Sequence, residues 1–184
     1  MPVSDSPARN VLFLCTGNSA RSILAEAMMN HPAIGGRKFH AFSAGSHPKG
    51  VIDPFALEIL TSYRIPTDGL RSKSWDEFAG PDAPLMHFVF TVCDQAAAEQ
   101  CPIWPGHPMT ANWSVPDPDA ITASDEARRR AFREAALVLK RRIELFASLP
   151  IASLTRLVLR ERIDEIGRVQ PPILGPPRVR HPGL

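Results

Sequence analysis

No apolar run in the 184 residues approaches the ~20 that a bilayer crossing needs, which excludes a helical membrane span. Charge of one sign is equally scarce. The chain holds 21 lysines and arginines against 19 acids, a formal +2, so any positive field is local and nucleic acid is not the expected partner. Met1 to Asn10 lack the charged, then apolar, then small-residue layout of a secretory leader, and a cytoplasmic protein is expected. Cysteines are few and odd in number, three in all, which argues against a disulfide scaffold and leaves metal binding, redox chemistry or plain burial. There is no internal repeat. What is present, 44% hydrophobic and 22% charged residues, suits one globular domain with a single core.

Val11-Leu12-Phe13-Leu14 is a short continuous apolar run, the pattern of a strand buried in a parallel sheet. Cys15 follows, then the small polar stretch Thr16 to Ala20, Arg21, and a helical segment from Ser22. Phe39 to Ser43 reads as a second strand, and Asp53-Pro54 as an N-cap with proline in the first helical position, opening a helix to about Tyr63. Ser74 and Glu77 have capping-box spacing ahead of another short helix. Phe88 to Val92 reads as a strand, and the proline-rich stretch Cys101 to Pro118 as loop with a brief strand near Thr110 to Trp113. Phe132, Ala135, Leu139, Ile143 and Phe146 recur at three and four, one buried helical face between Ser124 and Ser148. Arg128, Arg129, Arg130, Lys140, Arg141 and Arg142 read as the solvated side of that helix. Strands alternating with helices predict an α/β fold, a parallel sheet flanked by helices on both faces, with function at the carboxyl ends of the strands, where Cys15 and Cys93 both fall. The division expected is a flexible N-terminus (1–9), a catalytic domain (10–148), an additional helix (149–166) and a mobile proline-rich tail (167–184).

Cys15-Thr16-Gly17-Asn18-Ser19-Ala20-Arg21-Ser22 places a thiol and a guanidinium at the two ends of one tight loop that opens a helix. Backbone N–H groups of such a loop converge on a tetrahedral anion, Gly17 permits close approach, and Arg21 adds a planar fork for two oxygens. The same positive surroundings are expected to lower the pKa of Cys15, with Ser22 a hydrogen-bond donor to its sulfur. A buried cysteine and a surface-paired arginine would be the plain alternative, but strand, loop, arginine and helix occur in the order an anion site demands.

With Cys15, five residues, Arg21 and Ser22 after the first strand, the chain resembles the low-molecular-weight phosphotyrosine phosphatase superfamily, and most closely its arsenate reductase branch, from about Val11 to Phe146. The resemblance implies a general acid in an Asp-Pro pair, here Asp117-Pro118, with Asp119 and Asp94 as lesser competitors. In the reductase mechanism so implied, Cys15 attacks arsenic, Cys93 attacks the Cys15 sulfur and releases arsenite, and Cys101 moves the disulfide outward for thioredoxin or a glutathione/glutaredoxin-type donor. From spacing alone, Cys93 and Cys101 could equally be buried small hydrophobes, while zinc has only His107 close after Cys101. Ile23 in place of proline, and Asp119-Ala120 in place of a tyrosine after Asp-Pro, resemble the reductases. Seven residues between Cys93 and Cys101, where that branch usually has six, require the segment to loop out. A phosphatase hydrolysing phosphate monoesters through Cys15 is the alternative, and would be indifferent to Cys93. No further cofactor is implied, apart from a potassium ion that some members bind at positions matching Asn18, Glu26, Ser43 and Asp76; local structural roles account for these four as well.

Overall fold

The structure, a computed structural model, describes residues 7–170; the terminal segments 1–6 and 171–184 lie outside the described residues, and with them most of the proline-rich tail. Four parallel strands, β1 (Arg9–Cys15), β2 (Phe39–Gly45), β3 (Phe88–Thr91) and β4 (Met109–Asn112), form one sheet in the order β2-β1-β3-β4. Leu14 of β1 lies opposite Ala44 on one side and Thr91 on the other, so β1 is central and its carboxyl end is flanked by two others. Side chains alternate between faces along each strand. Val11 and Phe13 enter the larger core under α1 (Arg21–Asn30), α2 (Pro54–Ser62), α4 (Asp125–Ala147) and α5 (Arg156–Ile166), where Trp113 stacks on Phe90 at 4.1 Å between centroids. Leu12 and Leu14 enter a thinner layer with Phe78, Met86 and Trp104, covered by a single 3-10 turn (Trp75–Phe78) and loops. The α/β sheet covered on both faces is thus as expected, with unequal covers.

Local signals explain most boundaries. Asp53 caps α2 through the Phe55 N–H, and Ser124 caps α4 through that of Ala127. Four readings are corrected. The additional helix expected over 149–166 is not one helix but a 3-10 turn (Ile151–Ser153) followed by α5, because the Thr155 hydroxyl accepts from Val158 N–H and restarts the chain there. The capping box at Ser74 is half formed: Ser74 accepts from Asp76 N–H, while Glu77 pairs with Arg71. A helix not anticipated, α3 (Asp94–Ala98), follows Cys93 directly. Arg142 is not solvated; it is 1% exposed and donates to the carbonyls of Trp113, Ser114 and Val169.

These bonds, with one from the Trp113 indole to Ile163 O at 3.1 Å, dock α5 and the first residues of the expected tail onto β4 and α4. Among the described residues, no helix is long and apolar enough to cross a membrane.

Candidate active site

Cys15 ends the central strand and Arg21 opens α1, so the loop between them crowns the carboxyl edge of the sheet. Its carbonyls are bound from outside: Thr16 O accepts from His47 N–H at 2.9 Å, Gly17 O from Lys49 N–H at 2.9 Å and Ser19 O from Asp53 N–H at 3.0 Å. Asn18 takes a left-handed backbone (φ 43°), and its N–H donates to Cys15 Sγ at 3.2 Å. A curl of this kind turns successive N–H groups toward one concave point, which is what an anion needs. A Cβ on Gly45 would stand 2.4 Å from the Thr16 carbonyl oxygen, so glycine is required where β2 passes beneath the loop.

Asn18 and Ser22 are fully buried behind the loop, so their side chains support it and do not line the anion cavity. The Asn18 amide donates to Ser22 Oγ at 2.8 Å and Ser43 Oγ at 2.9 Å, and its carbonyl accepts from Lys73 N–H at 2.9 Å. Since the Ser22 oxygen already receives the amide, its own proton is directed at Cys15 Sγ, 2.8 Å away. Burial pushes the Cys15 thiol above its ordinary value, and the Ser22 hydroxyl and N–H groups only partly pull it back. The expected lowering therefore does not hold in this arrangement, where Arg21 bonds Val115 O at 3.0 Å and lies 3.5 Å from Asp117 Oδ2.

The cavity above the loop measures about 200 Å³ and is lined by Cys15, Thr16, Gly17, Ser19, Ala20 and Arg21, facing His47, Lys49, Gln95, Asp117 and Asp119. No phenylalanine, tyrosine or tryptophan is among them. Asp117 stands at its mouth, half exposed. Asp119 is held instead by Lys49 Nζ at 2.8 Å and Arg128 Nη2 at 2.7 Å. Burial alone would raise its carboxyl, but the hydrogen bonds from Lys49 and Arg128 and the charge of Lys49 hold it below the ordinary value. His47, Lys49 and Gln95 were not foreseen, although His47 and Lys49 follow the carboxyl end of β2, where the same edge-of-sheet logic applies.

All three cysteines are free, Cys15 and Cys93 buried and Cys101 half-buried. Cys93 Sγ lies 3.7 Å from the hydroxyl of Thr16, the residue next to Cys15, and accepts from Ala96 N–H at 3.3 Å, capping α3. Cys101 Sγ approaches the carbonyl of the same Ala96 at 3.9 Å. The seven-residue spacer is taken up by the short α3, which brings both sulfurs onto one residue's backbone. Burial, and then the charge of Glu99, push the Cys101 thiol up. Asp94 opens α3 and is absent from the cavity lining.

Of the four potassium candidates, Asn18, Ser43 and Glu26 converge: Ser43 Oγ donates to Glu26 Oε2 at 2.5 Å. Asp76 instead bonds Ser74. A free cation does not fit this cluster, because the Lys73 ammonium lies 3.7 Å from Glu26 Oε2 and the Asn18 carbonyl is already taken by the Lys73 N–H. Burial pushes the Glu26 carboxyl up and the Lys73 ammonium down, and the charge of each pulls the other back toward ionisation.

The chain is similar to known proteins in sequence and in fold. The arsenate reductase of Oceanobacillus iheyensis is 30% identical over 137 residues, 74% of this chain and 94% of that protein, and the arsenate reductase of Halalkalibacterium halodurans is 31% identical with the same coverage. A thioredoxin-dependent arsenate reductase of Corynebacterium glutamicum has a similar fold, with a TM-score of 0.55 at 23% identity over 81% of this chain and 65% of that one. The family model described as low molecular weight phosphotyrosine protein phosphatase matches residues 10–157, from β1 into the start of α5. The match takes in the loop, the acid-bearing turn and all three cysteines, and the chain belongs to the low molecular weight phosphotyrosine protein phosphatase family.

Proposed function

We propose that the protein reduces arsenate to arsenite and passes the resulting disulfide to an external thiol donor. The observation that carries this reading is the placement of the sulfurs: Cys93 borders the loop through Thr16, and Cys101 meets Cys93 at Ala96. A phosphatase needs only the first thiol.

In the proposed cycle, arsenate sits over the loop N–H groups, and the Cys15 thiolate attacks arsenic. An S–As bond forms, and the departing oxygen leaves as water with a proton from Asp117. The Cys93 thiolate then attacks Cys15 Sγ: an S–S bond forms, the S–As bond breaks, and its electron pair stays on arsenic, which leaves as arsenite. Cys101 attacks Cys93 Sγ and returns Cys15 as thiolate. Closing a Cys93–Cys101 bond removes the sulfur that caps α3, so the step unwinds that short helix and turns the new disulfide toward the half-buried Cys101 side. Thioredoxin or a glutathione/glutaredoxin-type donor reduces it there.

The lining of the cavity supports a small inorganic anion over an aryl ester. Lys49 supplies charge, and no phenylalanine, tyrosine or tryptophan ring lines the cavity to stack on a tyrosyl group. The deciding experiment measures arsenite from arsenate with thioredoxin and its reductase, or glutathione and glutaredoxin, supplied separately, beside hydrolysis of an aryl phosphate without reductant. Arsenite formation that is lost in Cys93→Ser supports the proposal. Ester hydrolysis with no arsenite makes the protein a phosphatase and leaves Cys93 and Cys101 as packing.

A further inference from the structure

Behind the loop runs an unbroken chain of buried polar groups. The Lys73 ammonium lies 3.7 Å from Glu26 Oε2, which accepts from Ser43; Ser43 accepts from Asn18, which also donates to Ser22, and Ser22 reaches the Cys15 sulfur. Lys73 enters the chain a second time, through its N–H on the Asn18 carbonyl. Its ammonium also donates to Arg71 O at 3.0 Å, and its carbonyl accepts from Gly45 N–H at 2.9 Å, which ties the segment to β2 beneath the loop. Lysine and glutamate are rarely buried to this degree unless paired; here they are 7% and 9% exposed.

We infer that the Lys73 ammonium serves as a tethered monovalent cation, neutralising Glu26 and thereby holding Ser43, Asn18 and the inner face of the anion loop, so that no free alkali-metal ion is needed there. Glu26 as an anion orders the Ser43 proton, which leaves the Ser43 oxygen as an acceptor for Asn18. That bond and the one to Ser22 fix the left-handed turn at Asn18. Lys73 is a positioning residue, since it is absent from the cavity lining. The inference concerns the loop whatever anion it turns over, so its test uses binding and melting and stays separate from the arsenate assay.

The full-length parent, Lys73→Ala and Lys73→Met are melted, and titrated calorimetrically with inorganic phosphate, in potassium chloride, choline chloride and propylammonium chloride at equal ionic strength. The parent is expected to show one melting temperature and one phosphate affinity in all three salts. Lys73→Ala should melt lower by roughly 10 °C in choline, as expected for an orphaned buried charge. Its phosphate affinity should drop about tenfold, and both losses should be recovered by propylammonium, which restores the missing three carbons and charge, or by potassium. Lys73→Met, which fills the volume without charge, should show the losses with no recovery, and it keeps the test alive if the alanine variant does not fold. A parent stabilised by potassium over choline overturns the inference, as does Lys73→Met behaving like the parent, or a loss in Lys73→Ala that no cation repairs.

Discussion

Asp117 and Asp119 stand two residues apart at one cavity mouth, and exchanging each for asparagine separates proton donation from scaffolding. Asp117 Oδ1 accepts from Asp119 N–H at 3.1 Å and caps the 3-10 turn Pro118–Ala120. An asparagine oxygen preserves that bond. The half-exposed pair with Arg21 contributes about 0–1 kcal/mol, so melting should move by no more than about 4 °C. In the proposed cycle the exchange removes the proton donor, and single-turnover arsenite formation at pH 7 should slow by about 10²- to 10⁴-fold, a barrier increase of roughly 3–5 kcal/mol. Asp119→Asn should do the reverse. It weakens the bonds to Lys49 at 2.8 Å and Arg128 at 2.7 Å, together worth about 1–2 kcal/mol at this partial exposure, and should lower the melting temperature by about 2–8 °C with little change in rate. The pH dependence follows from the lowered Asp119 carboxyl. A group bound more tightly as an anion stabilises above its unfolded pKa, about 3.9, and that stabilisation is lost as pH falls through the folded value. The melting gap between parent and Asp119→Asn should therefore close below about pH 4. A hundred-fold rate loss in Asp119→Asn, with Asp117→Asn turning over at the parent rate, would refute the assignment.

Cys93→Ser should abolish arsenite release while leaving phosphate binding by calorimetry unchanged, because the loop amides remain; release at the parent rate would remove Cys93 from the chemistry. Ser22→Ala deletes a donor to the Cys15 thiolate, raising the thiol further, and iodoacetamide labelling of Cys15 at pH 7 should slow by roughly tenfold, the equivalent of about one pKa unit. Labelling as fast as in the parent would mean that the hydroxyl does not serve the sulfur. Arg142→Met leaves the carbonyls of Trp113, Ser114 and Val169 without their buried donor, and should lower stability by about 2–4 kcal/mol in a denaturant melt. A variant as stable as the parent would show that water or repacking satisfies them.

The placement of Cys15, Arg21 and Asp117 around one cavity was legible because its determinants are local. Strand, loop and helix start lie within fourteen residues from Arg9 to Ser22, and Asp117 is announced by its own proline. What escaped the sequence depends on contacts between distant segments. Lys73 looks like any loop lysine until the bridge between Gly45 and Ser74 lays its segment beside β2. Arg142 shares its helix with solvated arginines, and the carbonyls of Trp113, Ser114 and Val169, from two distant segments, enclose it. The capping of α3 by a sulfur, over a run of three alanines, lacks the Ser, Thr, Asp or Asn N-cap that usually announces a helix, and leaves only Asp94 in the first turn as a signal.

The outer position of β4 has a consequence for how the molecule meets its own copies. A border strand presents unpaired N–H and C=O groups, an open template for strand addition by another chain, and β4 is only four residues long. The segment 156–170 lies against it: a Cβ on Gly167 would come within 2.6 Å of the Asn112 carbonyl oxygen, and Ile163 O takes the indole proton of Trp113. Nearly all of this cover lies past residue 157, where the family match ends. The extension thus covers the carboxyl end of this border strand, the same end of the sheet that carries the anion loop, and leaves a second chain less of the edge on which to add.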